Sequence, residues 1–185
     1  AILTGDANEI LNDPQMAIVA ELIGGVKPAK EYVLRAIEAG KSVVTANKEL
    51  IAKCGVDIQR AADKAGVDFL FEGSVGGGIP LIKPLHESLA GNQMSELIGI
   101  VNGTTNYILT SMTREGRTFD DVLAEAQRLG FAEADPSSDV DAFDAVYKLA
   151  ILADVAFGVR VRVDPIDREG IRGVSARDID YATEL

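Results

Sequence analysis

Asp144 and Lys148 stand four residues apart, and from Ala145 to Val159 the only charged residues are Lys148 and Asp154. A spacing of four puts two side chains one above the other on a helix, so this carboxylate and this ammonium share a stripe with Leu152 and Val155. Such a stripe faces protein, and a lysine kept there needs a partner or a pocket. It is either half of a structural ion pair or a group that moves a proton during catalysis. Before the helix, Glu133, Asp135, Asp139 and Asp141 form an acidic loop running from Gly130. Its carboxylates suit a cationic ligand; a solvated loop with Asp139 or Ser138 capping the helix accounts for Asp135 and Asp141 as well. It lacks the glycine and terminal glutamate of an EF-hand.

These groups need a scaffold. The apolar run Met16–Ile23, closed by Gly24-Gly25, reads as a buried strand and turn, and Pro28–Ala39 as a helix with proline at its start and Gly40 past its end. Ser42–Ala46 is a second strand, Lys48–Ala65 a helix stopped by Gly66, and Val67–Glu72 a third strand. Strands alternating with helices at this spacing imply βαβ units and a parallel sheet, hence an α/β fold. After Glu72 the rhythm changes. A glycine cluster over 74–80 leads to a helix at Pro80–Ala90, a strand at Met94–Val101, a turn at Asn102–Asn106, and helices at Tyr107–Arg114 and Phe119–Leu129. The tail carries a short strand at Val159–Val163 and a helix from Ala176. A domain change is expected between Glu72 and Pro80.

Composition narrows the partners. The 185 residues carry a net charge of −11 with no basic patch, which argues against nucleic acid. Cys54 is the only cysteine, so no internal disulfide forms and a reducing compartment is expected. No apolar run approaches the roughly 18 residues of a membrane span. The opening AILTGDANEI has no signal-peptide pattern, so a cytoplasmic location is expected. His86 stands without Cys or His neighbours and is a poor metal candidate.

Loops at strand ends are where open parallel sheets bind ligands. VVTANK (43–48), EGSVGGGIP (72–80), GIVNGTTN (99–106) and GFAEADPSSDVDAFDAVYK (130–148) together strongly resemble homoserine dehydrogenase, four motifs in the family's order over nearly the whole chain. The resemblance implies a partial Rossmann-type NAD(P)-binding domain at 1–73. It also implies an α+β catalytic, substrate-binding domain at 74–185, incomplete at its C-terminus. The family's GxGxxG-type loop and its later glycine-rich segment have no counterpart here, so the chain reads as an internal piece of the enzyme. The implied reaction interconverts L-homoserine and L-aspartate 4-semialdehyde with NADP or NAD, in threonine, methionine and isoleucine biosynthesis. The alternative is a truncated, non-catalytic folding or subunit-association module.

By the same resemblance Lys148 is the proton-transfer residue, and Lys48 binds cofactor and is a second proton-handling group. Glu133, Asp144, Asp139 and Thr104 bind substrate. Gly103 and Gly130 join Lys48 in binding cofactor, although a plain helix cap also explains Gly130 and capping explains Thr104 and Thr105. Glu72, Val75, Gly77 and Ile79 are implied ligands of a sodium ion, and the native form is expected to be a homo-oligomer.

Overall fold

Three short strands, β1 (Ile18–Glu21), β2 (Ser42–Thr45) and β3 (Phe69–Leu70), pair in parallel in the order β1-β2-β3, with Ala20, Val44 and Leu70 in register. The helices are α1 (Ala7–Leu11), α2 (Ala29–Glu38), α3 (Lys48–Ala65), α4 (Gly103–Glu115), α5 (Phe119–Arg128), α6 (Ser137–Val140), α7 (Phe143–Phe157) and α8 (Ala176–Glu184). This computed structural model describes residues 3–184. The chain forms two compact units, Ala1–Ser95 with Tyr147–Val163, and Glu96–Val146 with Asp164–Leu185.

In the first unit, β1, α2, β2, α3 and β3 follow one another as the alternation requires. Helix α3 runs between two local signals: the Asn47 side chain accepts the Leu50 N–H, and Gly66 closes the helix at φ 68°, a conformation that favours glycine. Val33, Ile37, Val43, Leu50, Ile58 and Phe69 are buried. Adjacent side chains of a strand point to opposite faces, and only one face of this sheet is covered. On the other, Ile18, Val44 and Leu70 are exposed. The first strand is therefore not the buried strand expected from its composition.

The second unit packs Ile108 and Met112 of α4 against Val122 and Ala126 of α5, with Ala132 and Val140 closing the core. The tail reaches this core through Gly170. A Cβ there would stand 2.4 Å from the Val140 carbonyl oxygen, and the next residue, Ile171, donates its N–H to that same oxygen. Only glycine permits that approach.

Several expected elements differ. Met94–Val101 and Val159–Val163 are not strands among the described residues, because a strand exists only where a neighbour accepts and donates its ladder bonds; Ile98 and Ile100 lie 84% and 83% exposed. The third strand stops at Leu70, since residues 72–74 turn back as the Ser74 N–H reaches the Phe71 carbonyl. The helix expected over Pro80–Ala90 is shorter, covering residues 82–88, and widens to a π-helical turn at Pro84–Ser88 closed by a Leu89 N–H to Pro84 carbonyl bond; Pro84 has no N–H for an α-helical bond. Helix α4 starts at Gly103, four residues before the expected Tyr107, because Asn102 caps it.

Candidate active site

The candidate residues fall into two sets, one on each unit. In the first unit, Lys48 is the first residue of α3, directly after the carboxyl end of β2, and is half-buried. What fixes that end is Glu21, 3% exposed at the last position of β1. Its carboxylate accepts the Ile23 N–H at 2.7 Å, the Thr45 hydroxyl at 2.7 Å and, at 3.4 Å, the Asn47 amide. Asn47 also donates to the Gly25 carbonyl at 2.6 Å, and its N–H reaches the Thr45 hydroxyl at 2.9 Å. One buried carboxylate thus ties the turn after β1 to the cap of the helix that carries Lys48. Neither composition nor periodicity signals this, because Glu21 is embedded in an apolar run.

The Glu72 carboxylate accepts three backbone N–H groups, Leu81 at 2.6 Å, Ile82 at 2.9 Å and Lys83 at 2.8 Å. These bonds, the Leu81 one foremost, hold its carboxyl below the ordinary value. A carboxylate whose folded pKa is depressed contributes stability above its unfolded pKa, and that contribution is lost as pH falls through the folded value. Glu72→Ala is accordingly expected to lower unfolding stability by about 1–2 kcal/mol near neutral pH. The gap to the unmodified protein should close in acid, as measured by urea unfolding at both pH values.

A hard cation at this loop fits the backbone. Gly76 and Gly78 have φ 66° and 82°, which alternates the direction of successive carbonyls. The described backbone hydrogen bonds use the Gly76 carbonyl and none ends on those of Val75, Gly77 or Ile79. Oxygen donors of this kind suit a monovalent or alkaline-earth cation. The Glu72 carboxylate, already engaged by three N–H groups, fits the role of loop clamp better than that of a side-chain ligand. No cluster of three or more His, Cys, Asp or Glu able to hold a metal occurs among the described residues.

On the second unit, Asn102 caps α4 and brings two of the expected carboxylates together: its amide donates to Asp139 at 2.7 Å and to Asp144 at 2.9 Å. Asp144, in the first turn of α7, is 1% exposed. A carboxylate there interacts favourably with the helix dipole. The turn before it passes through Ala142 at φ 63°, the one non-glycine residue with positive φ among those described. Thr104 donates its hydroxyl to the Phe131 carbonyl at 3.0 Å, next to Gly130, which ends α5 at φ 79°. Gly103 is the exposed first residue of α4, and Glu133 is exposed on the loop that the Gln127 amide tethers through the Glu133 and Ala134 carbonyls. Asp135 caps the Ser137 N–H at 3.1 Å and Asp141 pairs with Arg172 at 2.6 Å, both structural duties. Lys148, in the part of α7 that belongs to the first unit, is half-buried.

Among the described residues no helix is long and apolar enough to cross a membrane. Residues 1–72 match the family model described as homoserine dehydrogenase, NAD binding domain, and residues 80–185 the one described as homoserine dehydrogenase. A curated homoserine dehydrogenase of Synechocystis sp. is 55% identical over 100% of this chain and 42% of its own length, and that of Corynebacterium glutamicum 50% identical over 99% and 41%. The crystal structure of a homoserine dehydrogenase from Thiobacillus denitrificans superposes with TM-score 0.95 at 50% identity, covering 98% of this chain and 42% of that one. A hyperthermophilic archaeal homoserine dehydrogenase in complex with NADPH gives 0.84 at 35% identity, covering 96% and 55%. The chain thus spans about two fifths of the length of the curated relatives it matches.

Proposed function

Because the chain belongs to the homoserine dehydrogenase family, we propose that a protein carrying it interconverts L-homoserine and L-aspartate 4-semialdehyde with NADP or NAD. The observation that carries this reading is the carboxylate pair Asp139 and Asp144 joined by the Asn102 amide, Asp144 standing four residues ahead of Lys148 in the sequence. Asp139, Asp144 and Glu133 bind the substrate ammonium, with Thr104 beside them. The Lys148 amine takes the hydroxyl proton of homoserine as the carbon–hydrogen bond breaks, and returns it in the reverse direction. The nicotinamide cofactor supplies the hydride acceptor. Lys48, Gly103 and Gly130 bind it, Lys48 from a helix start braced by Glu21 and Asn47.

A sodium ion held by the carbonyls of Val75, Gly77 and Ile79, with Glu72 shaping the loop, belongs to the same reading. So do a functional division at 73/74, a cytoplasmic location in keeping with the single cysteine, and a homo-oligomer. The test is homoserine-dependent reduction of NADP or NAD by the full-length protein. Turnover is expected; a folded, cofactor-binding protein without it favours the association-module reading.

A further inference from the structure

The cap of α4 does more than capping requires. Asn102 is 9% exposed, and its Oδ1 accepts both the N–H and the hydroxyl of Thr105, at 2.8 and 2.9 Å. The Thr105 N–H and the two carboxylates fix which way the amide points. Reversed, the NH2 would face the Thr105 N–H, which can only donate, and the oxygen would face two carboxylates. The NH2 therefore points at Asp139 Oδ1 and Asp144 Oδ2, one hydrogen to each.

Capping alone would be served as well by Ser, Thr or Asp. What asparagine adds is a neutral pair of donors placed between two anions. Like charges brought together disfavour joint ionisation, and hydrogen bonds to the charged forms oppose that effect. A cation placed there would also hold the pair but would cancel its charge. A neutral amide holds it without adding a positive charge of its own.

We propose that Asn102 is a positioning residue of the substrate site: its amide locks Asp139 and Asp144, from α6 and α7, into the single arrangement that receives the ammonium of the amino-acid substrate. This rests on the homoserine reading above. It gives the turn before α4 a role in substrate affinity in addition to any cofactor contact made by Gly103.

The test is steady-state kinetics of the full-length enzyme with Asn102→Ser and Asn102→Asp, both of which keep a capping oxygen. Hydrogen bonds to charged groups are worth enough that KM for homoserine should rise about 10- to 100-fold. The KM for cofactor should stay near its original value, while Tm should fall by only a few degrees in Asn102→Ser and further in Asn102→Asp, whose carboxylate repels the pair. In a cycle with Asp139→Asn, the effects of Asn102→Ser and Asp139→Asn on homoserine KM should combine to less than their product, as expected for groups in one network. An active unmodified enzyme whose variants keep homoserine KM within about threefold overturns this proposal alone. So does a parallel loss of homoserine affinity, cofactor affinity and Tm, or failure of both variants to fold, since each assigns Asn102 to the fold. An unmodified enzyme with no homoserine turnover overturns the functional reading and this proposal with it.

Discussion

Replacing Lys148 by alanine is expected to lower kcat/KM for homoserine by about 100- to 10,000-fold, the range that a positioned proton-transfer group contributes. Alanine is the best helix former and Lys148 is half-buried, so α7 should persist and the loss should fall on chemistry. Lys148→Arg separates proton transfer from mere charge. A guanidinium keeps the positive charge but does not release a proton in a protein, so its loss should approach that of alanine. Recovery of most activity in Lys148→Arg, or a loss below tenfold in Lys148→Ala, would reduce the lysine to a structural or electrostatic role.

The second large effect is expected at Asp144. Asp144→Asn keeps the size of the side chain and an oxygen for the Asn102 amide, but removes the buried charge. Homoserine KM should rise about 10- to 100-fold from the lost charged interaction. The weaker match to the α7 dipole should cost only about 0.3–1 kcal/mol of stability. Asp144→Ala also leaves an amide hydrogen without its acceptor, which adds about 1–3 kcal/mol. Kinetics and urea unfolding of the two variants therefore order differently: both lose substrate affinity, but only the alanine variant loses much stability. An asparagine variant with unchanged homoserine KM would remove Asp144 from the substrate site.

What could be read from the sequence was what local signals specify. Lys48–Ala65 was legible to the residue because Asn47 and Gly66 mark its ends and apolar residues recur at helical spacing. Residues 94–101 looked like a strand because their composition suits one, but strand formation depends on a neighbour elsewhere in the chain, which a local reading cannot supply. Asp144 and Lys148 stood out because charge in an apolar helix is rare. Glu21 and Asn102 did not. The first lies in a run whose apolar neighbours conceal it, and the second has a complete local explanation as a cap. Their further bonds reach 24 and 42 residues along the chain, to Thr45 and Asp144. Glu72 shows the same limit: its partners, the N–H groups of 81–83, leave no side-chain pattern.

We propose that a protein carrying this chain moves hydride directly from the alcohol carbon of homoserine to a nicotinamide, with Lys148 taking the proton. The most direct measurement follows deuterium placed on that carbon, using the full-length protein and NADP or NAD. The label should appear on the nicotinamide ring of the reduced cofactor, in equal amount to the aldehyde formed, and label transfer should slow with Lys148→Ala by the factor given above. Reduced cofactor without deuterium, or no homoserine-dependent reduction by folded protein, would contradict it.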